Sequence, residues 1–269
     1  MSKPRTLVVA NQKGGVGKTT TTINVATALA AIGHRTLIVD IDPQGNASTG
    51  LGIKRTEFTI STFHAIVGEK SMREVIVPTA VPNLYVAPST LDLLGVEMEI
   101  AKDRNRASRL KLALETKDIK NDGPDSLQFD YVLIDCPPSL NLLTINALVA
   151  ADSVIVPLQC EFFALEGLSQ LLLTVEQVRA TLNPQLTIHG IVLTMFDPRN
   201  NLAAQVMADV RANMGATVYD TVIPRNVRVS EAPSFGKPAL LYDLKCAGSQ
   251  AYLRLASEII QRERMMAVG

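Results

Sequence analysis

Residues 11–24 read NQKGGVGKTTTTIN, and this stretch decides the fold. The apolar run TLVVAN (6–11) leads into it, and a helical pattern from Lys18 to Ile32 follows it and stops at Gly33. A strand, a glycine-rich loop and a helix in this order predict a phosphate-binding loop. The stretch departs twice from G-x-x-x-x-G-K-[ST], because Gln12 replaces the first glycine and Lys13 adds a second lysine.

The backbone and the side chains of this loop have different expected roles. The three glycines let backbone N–H groups converge on an anion, and the helix N-terminus adds the positive end of its dipole. Lys18 is expected to reach the β- and γ-phosphates, Thr19 to hold Mg²⁺, and Thr20 to bond the α-phosphate. The predicted nucleotide-binding residues of the loop are Lys13, Gly14, Gly15, Val16, Gly17, Lys18, Thr19 and Thr20.

Acidic residues close two other apolar runs. YVLIDCPPS places Asp135 at a strand end, as in a Walker B motif, where it is expected to bind Mg²⁺ directly or through water. An aspartate at a strand end is common, so this assignment depends on the loop. LIVDIDPQGN places Asp40 and Asp42 at another strand end. We expect Asp42, which lies further out, to orient the water that attacks the γ-phosphate, and Asp40 to support its loop.

Strands and helices alternate along the chain. The runs NLYVAPS, SVIVPLQ and IHGIVLTMF lack clean alternation, which is typical of strands buried on both faces. Helical stretches are predicted at roughly 90–117, 141–150, 164–182 and 201–214, and at the C-terminus in QAYLRLASEIIQRER. The pattern predicts an α/β fold with a doubly wound, mostly parallel sheet and helices on both faces. We expect a single domain over 1–269, with a surface loop at 116–126.

Composition sets limits on the class of protein. The 269 residues carry 26 Lys and Arg against 26 Asp and Glu, so any nucleic-acid site must be a local patch. No apolar run approaches the length of a membrane span, and the N-terminus lacks the pattern of a signal peptide. Three cysteines far apart suggest neither a disulfide framework nor a zinc site, and a cytoplasmic location is expected.

Several motifs together resemble a known family. KGGVGKT, DIDPQGN and DCPPS, in this order, resemble the ParA/MinD group of deviant Walker A ATPases of the P-loop class. VPLQCEFFALEGLSQLL, TMFD and IPRNVRVSEAPSFGKPALLYD resemble chromosomal ParA proteins of the Soj type. The resemblance extends from about residue 6 to 260. It implies a DNA partition ATPase for chromosomes or plasmids that uses ATP and Mg²⁺.

The same resemblance gives the second lysine a role. In this family two subunits enclose two ATP molecules, and the second lysine crosses the interface to the partner's nucleotide, as an arginine finger does. Lys13, Lys18 and Asp42 are therefore the expected catalytic residues of an ATP-dependent homodimer. On spacing alone, Lys13 would be a solvated loop lysine. Adenine contacts are implied for Met195, Pro224, Arg225 and Asn226, and Glu161 is placed near the nucleotide less firmly.

DNA binding also depends on the resemblance. Residues 199–245 contain six basic and four acidic residues, which by itself indicates only scattered surface charge. By resemblance, Arg199, Arg225, Arg228 and Lys245 match DNA-contacting positions. Contacts to phosphates would be independent of sequence and sensitive to salt. The implied partners are non-specific double-stranded DNA on the nucleoid and a ParB-type centromere-binding protein that stimulates hydrolysis.

Two other classes share the loop. An ATPase that delivers a metal or a cluster would carry paired cysteine ligands, whereas Cys136 and Cys160 are expected to pack in the core. A MinD-like membrane regulator would end in a basic amphipathic segment. Here QRERMMAVG offsets Arg262 and Arg264 with Glu263, so no membrane partner is expected. No helix-turn-helix extension is expected before the first strand, unlike in the larger plasmid ParA type, so autorepressor activity is not expected.

Overall fold

The computed structural model describes residues 3–116, 119, 127–161 and 164–268. Its strands are β1 Arg5–Val9, β2 Thr36–Asp40, β3 Val77–Pro78, β4 Leu84–Ala87, β5 Tyr131–Asp135, β6 Ser153–Gln159, β7 Thr187–Phe196 and β8 Val218–Pro224. Its α-helices are α1 Lys18–Ala31, α2 Asn46–Gly50, α3 Thr62–Val67, α4 Met72–Val75, α5 Val96–Glu99, α6 Arg109–Leu114, α7 Leu142–Ala150, α8 Ala164–Thr181, α9 Asn201–Met214, α10 Val227–Glu231, α11 Ala239–Tyr242 and α12 Ala247–Val268.

The strands form one sheet in the order β3-β4-β2-β5-β1-β6-β7-β8. Every neighbouring pair is parallel except β3 and β4, so the predicted mostly parallel, doubly wound sheet is confirmed. The strand β8 was not anticipated, because VYDTVIP is only partly buried and carries an exposed Asp220. The register pairs Val9 and Asp40 with Asp135 on either side of β5, which places these strand ends side by side.

Apolar side chains alternate between two cores, one on each face of the sheet. Val8 of β1 belongs to one core, whereas Leu7 and Val9 belong to the other. The second core packs α1 and α12 together against the sheet, with Leu29 and Leu255 both fully buried. Because α1 is clamped in this way, the loop that precedes it has a fixed position above the strand ends.

The stretch predicted as helical at roughly 90–117 is not one helix. The segment instead forms a 3₁₀ turn at Leu91–Gly95, α5, a second 3₁₀ turn at Arg106–Ser108, and α6. The break lies around Asp103, whose carboxylate accepts a hydrogen bond from the backbone N–H of Asn105 at 2.7 Å and so favours a turn. Most of the loop predicted at 116–126 lies outside the described residues, which include only residues 116 and 119 of it. Residue 117, the end of the predicted helical stretch, is among those not described.

Candidate functional site

The loop between β1 and α1 depends on two glycines for its shape. Gly15 and Gly17 have φ of 74° and 88°, the left-handed region in which a Cβ would be strained. Gln12 is not among the positive-φ residues of the described chain. This explains why glutamine can occupy the first glycine position of the usual motif, because the backbone there requires no special conformation.

Hydrogen bonds fix the loop from inside. Lys18 Nζ donates to the carbonyl of Lys13 at 2.9 Å, and Thr194 Oγ1 donates to the carbonyl of Val16 at 2.9 Å. The backbone N–H of Lys13 donates to Asn11 Oδ1 at 3.0 Å. Burial lowers the pKa of the Lys18 ammonium, while the nearby carboxylate of Asp135 opposes that shift. The lysine is thus held in a pocket that favours an anionic ligand.

Asp135 meets the start of α1. Its two carboxylate oxygens accept hydrogen bonds from Thr19 Oγ1 at 2.8 Å and Thr22 Oγ1 at 3.1 Å. Burial, followed by the charge of Asp40, raises the pKa of Asp135 well above its usual range. A hydroxyl and a carboxylate together form the oxygen donor set that Mg²⁺ prefers, and a bound cation would favour the ionised form of the carboxylate. The residues present therefore fit Mg²⁺.

Asp40 and Asp42 have different hydrogen-bond partners, which indicates different roles. Asp40 Oδ2 accepts from the Ser48 hydroxyl at 2.7 Å and from the Ser48 backbone N–H at 2.9 Å. Burial raises the pKa of Asp40 to about 6, and the bonds from Ser48 oppose this. Asp42 lines the cleft beside the loop, with Oδ1 held by the backbone N–H of Gln44 at 2.9 Å. Asp40 thus anchors α2, and Asp42 faces the space above the strand ends.

Two adjoining cavities meet at the loop. The first, of about 270 Å³, is lined by Gly14, Gly15, Gly17, Lys18, Thr19, Thr20, Asp42, Asn46, Pro138 and Met195. The second, of about 330 Å³, is more apolar and is lined by Gly17, Thr20, Thr194, Met195, Ile223, Pro224, Arg225, Asn226, Val227, Val229, Ser230 and Tyr252. Gly17, Thr20 and Met195 belong to both. A polar cavity beside an apolar one suits a nucleotide, whose phosphates and base differ in the same way.

The second cavity contains the four residues that the sequence analysis assigned to the base, namely Met195, Pro224, Arg225 and Asn226. Met195 has φ of 52°, a costly conformation for a residue with a long side chain, and its Cε lies 3.6 Å from the position of a Cβ on Gly17. Such strain is typical of functional sites. Asn226 is fixed at the start of α10, where its Oδ1 caps the helix by accepting from Val229 N.

Lys13 is not among the described residues that line either cavity. Its Nζ contacts Glu161 Oε2 at 2.5 Å, and the two side chains are 38% and 46% exposed. An exposed ion pair contributes little to stability, about 0–1 kcal/mol, and is readily exchanged for another partner. The loop therefore presents one lysine to the cleft, Lys18, and one to the surface.

Arg199 bonds the carboxylate of Asp197, and the charge of Arg225 also acts on it. Arg199 donates to both oxygens of Asp197, at 2.9 Å and 2.8 Å, while its side chain remains 88% exposed. These hydrogen bonds, and more weakly the charge of Arg225, lower the pKa of Asp197 to about 2. The backbone N–H of Arg225 donates to the carbonyl of Phe196 at 2.9 Å, so both arginines, 26 positions apart in the sequence, follow the paired ends of β7 and β8.

The side chain of Arg228 and the backbone of Lys245 both contact the carboxylate of Asp243. Arg228 pairs with Glu231 at 3.2 Å and with Asp243 at 3.7 Å, and the backbone N–H of Lys245 donates to the same Asp243 at 3.1 Å. Both basic side chains are exposed. We call Arg199, Arg225, Arg228 and Lys245 the basic group. Its members have acidic neighbours, which is why composition alone gives no basic patch.

Sequence reasoning missed four supporting residues: Thr22, Ser48, Ser89 and Thr194. Thr22 follows Thr19 by one helical turn, so its spacing could have predicted a second hydroxyl facing Asp135. Ser48, Ser89 and Thr194 contact Asp40, the carbonyl of Asp42 and the carbonyl of Val16. Nothing local marks these serines or this threonine, because their partners are distant in the chain. The expected core positions of Cys136 and Cys160 are confirmed by their burial.

The chain matches known proteins along most of its length. A family model described as an AAA domain matches residues 4–188. The chromosome partitioning protein ParA of Caulobacter vibrioides is 62% identical over 97% of this chain and 95% of its own. The sporulation initiation inhibitor protein Soj of Bacillus subtilis is 51% identical over 94% of this chain and 97% of its own.

A solved structure supports the same fold. Cobyrinic acid a,c-diamide synthase from Mycobacterium smegmatis with bound ADP and magnesium has a TM-score of 0.82 and 36% identity, and it covers 97% of this chain and 96% of its own. Fold and site together define a P-loop protein with a deviant Walker A loop. The chain belongs to the ParA/Soj family of chromosome partitioning ATPases within the ParA/MinD group. In the described residues no helix is long and apolar enough to cross a membrane.

Proposed function

We propose that this chain is a partition ATPase in which Mg-ATP binding locks a homodimer that binds DNA without sequence preference. The observation that carries the proposal is that the two loop lysines have different contacts and different exposure. Lys18 is buried and bonded to the loop backbone, whereas the partly exposed Lys13 pairs with Glu161 and is not among the described residues that line either cavity. A lysine that faces outward from a phosphate site can serve the phosphates of a second subunit. Nucleotide binding and dimerisation then become one event.

Nucleotide binding uses groups that are already in place. The backbone N–H groups of the loop and the Lys18 ammonium would compensate the charge of the phosphates, and the apolar cavity beside Met195 would take the base. Thr19 and Asp135 would hold Mg²⁺. When bound, this ion neutralises phosphate charge that the protein alone leaves uncompensated. The solved relative with ADP and magnesium supports this assignment.

Hydrolysis needs an oriented water molecule. The Asp42 carboxylate, which lines the phosphate cavity, would accept a hydrogen bond from that water as its oxygen attacks the γ-phosphorus. The bond to the bridging oxygen breaks, and ADP and phosphate leave. Lys13 of the second subunit would compensate the charge that develops on the transferred group. Asp40 holds the loop of Asp42 by bonding Ser48.

Dimerisation would bring the basic groups of two subunits onto one DNA-binding surface. Each subunit contributes exposed guanidinium or ammonium groups at Arg199, Arg225, Arg228 and Lys245. Ion pairs with Asp197 and Asp243 are surface pairs of low stability, so phosphates can replace the carboxylates. Phosphate contacts give affinity without sequence preference, as attachment along the nucleoid requires.

A ParB-type centromere-binding protein would stimulate hydrolysis and release the dimer from DNA, so that cycles of binding and release move the DNA cargo. The partition names of the relatives with 62% and 51% identity support this role over the activity named for the synthase with 36% identity.

The test is DNA binding as a function of nucleotide. Anisotropy of labelled duplexes of two unrelated sequences is measured with Mg-ATP, with Mg-ADP and without nucleotide, in parallel with light scattering. We expect equal binding of both duplexes with ATP only, at the protein concentrations at which dimers form. Binding that ignores the nucleotide, or no binding at all, would refute the central claim.

A further inference from the structure

The segment between β4 and the Asp103 turn carries an exposed apolar stripe. Leu91, Leu94 and Met98 are 47%, 68% and 83% exposed and follow one another at intervals of three and four residues. The same intervals separate the buried residues that anchor the segment, which are Leu93, Val96 and Ile100. Because the 3₁₀ turn Leu91–Gly95 continues directly into α5, the two sets lie on opposite sides of one short rod.

Acidic residues border this stripe. Asp92, Glu97 and Glu99 are exposed and alternate with the apolar residues along the same rod. Single exposed apolar residues need no explanation, but three in a row on one face, rimmed by charge, are typical of an interaction site. We call the six residues Leu91, Asp92, Leu94, Glu97, Met98 and Glu99 the acidic apolar stripe. Its rim would repel the anionic headgroups of a membrane.

Hydrogen bonds connect the stripe to both catalytic loops. Two residues before the stripe begins, the Ser89 hydroxyl donates to the backbone carbonyl of Asp42. Toward its end, Glu97 Oε1 accepts from the backbone N–H of Leu142 at 3.1 Å, directly after the loop that follows Asp135. A displacement of this rod would therefore be transmitted to the loop of the proposed water-orienting carboxylate and to the loop of the proposed Mg²⁺ ligand.

We propose that the acidic apolar stripe is the docking site of a basic amphipathic helix in the partner that stimulates hydrolysis. This inference rests on the proposed function, since it places the contact of the ParB-type partner. Ridges at intervals of three and four residues match the face of a partner helix, and acidic flanks on both sides select lysine and arginine. Docking there acts on the loops of Asp42 and Asp135 at once, which gives stimulation a structural route.

The experiment uses the full chain and the purified ParB-type protein of the same bacterium, with DNA that carries its centromere site. ATP turnover is titrated with the partner for wild type and for the double variant Leu94→Ser/Met98→Ser. Both side chains point into solvent, so folding, basal turnover and ATP-dependent dimerisation are expected to stay unchanged. We expect the partner concentration for half-maximal stimulation to rise at least about tenfold, the scale of losing two apolar contacts.

A matched control separates the stripe from exposed apolar residues in general. Leu173 on α8 is 64% exposed, and Leu173→Ser is expected to respond to the partner as wild type does. Glu99→Lys tests the charge, because reversal on the rim should weaken stimulation most at low salt. Equal stimulation of wild type and the double variant would overturn the docking site and leave the proposed function intact.

Other results point to other occupants. If wild type itself is not stimulated, the proposed partner is wrong and the docking site with it. If the double variant loses ATP-dependent dimerisation, the stripe belongs to an interface with a second copy, which overturns the proposal. If wild type, but not the double variant, sediments with anionic phosphatidylglycerol vesicles, the occupant is a membrane, and the proposal is again wrong.

Discussion

The loop lies at the edge of the sheet that is formed by the carboxyl ends of the strands. This edge and the basic group are built in opposite ways. At the edge, Lys18, Asp40, Asp42 and Asp135 are buried, and neighbouring hydroxyls and backbone groups fix their positions. In the basic group, the side chain of Arg199 is 88% exposed, and its position is held by the neighbouring carboxylate of Asp197. A buried charged group has one place in the fold, so a motif can predict it. An exposed charge is free to change partner, so its role depends on what approaches it.

The sharpest test of this contrast is Lys18→Ala. Removal of the buried ammonium leaves the phosphates with backbone donors alone, and we expect ATP affinity to fall by roughly a hundredfold or more, the scale of about 3 kcal/mol for a lost buried partner. Isothermal titration with Mg-ATP measures the change. Lys54→Ala is the control, because Lys54 is 78% exposed and should leave affinity unchanged. Wild-type affinity in Lys18→Ala would refute the assignment of the loop.

A second test separates binding from chemistry at the same edge. Asp42→Ala is expected to bind ATP with near wild-type affinity and to hydrolyse it about a hundredfold more slowly, since the carboxylate acts on the attacking water. The variant should accumulate as an ATP-bound dimer on size exclusion. Asp209→Ala on the exposed side of α9 serves as the control. Normal turnover with the partner present would remove Asp42 from the mechanism.

Gly14→Val tests whether the loop faces a second subunit. Among the described residues, a Cβ on Gly14 would meet only Pro138 Cβ, at 4.0 Å, and φ at Gly14 is not positive. We therefore expect nucleotide binding to survive and dimerisation to weaken by about tenfold or more, because two loops face each other in the proposed dimer.

Light scattering with ATP measures this change. Gly167→Val on α8 is the matched control, since a Cβ there meets none of the described residues within 4 Å. Dimers formed by Gly14→Val at wild-type concentrations would contradict the face-to-face geometry.

The smallest effect is expected from single substitutions in the basic group. Arg199→Glu or Arg228→Glu should weaken DNA binding by several-fold, equally for all sequences. Each lost phosphate contact should reduce the log-log salt slope by about 0.9, and each dimer carries the change twice. ATP-dependent dimerisation should remain. Titrations over a range of salt concentrations measure both quantities.

The choice of control for this test follows from the structure. Arg211 on α9 is unsuitable, because its guanidinium donates to the carbonyls of Tyr219 and Asp220 at 3.2 Å, so its loss would disturb the fold. Arg254 on α12 is exposed and is the better choice. If Arg199→Glu, Arg228→Glu and Arg254→Glu all keep the wild-type slope, the DNA contacts lie elsewhere.

Prediction succeeded where local pattern and tertiary role coincide. The α9 helix was predicted at its observed bounds, because its polar and apolar residues alternate with helical spacing. The 90–117 helix failed because composition there allows a helix, while the carboxylate of Asp103 stabilises a turn. The β8 strand was missed because it lies at the edge of the sheet and is only partly apolar.

The sequence by itself determined the phosphate loop, the strand-end carboxylates and the parallel sheet. Each of these is a short-range pattern whose backbone geometry follows from glycine, from a helix start or from the end of an apolar run. Only the tertiary structure decided that Thr22 would join Thr19 on Asp135, that Ser89 would hold the carbonyl of Asp42, and that the backbone N–H of Arg225 would bond the carbonyl of Phe196. The physical reason is that hydrogen bonds and ion pairs between distant residues depend on how the strands are ordered in the sheet, and strand order is set by the packing of the whole chain.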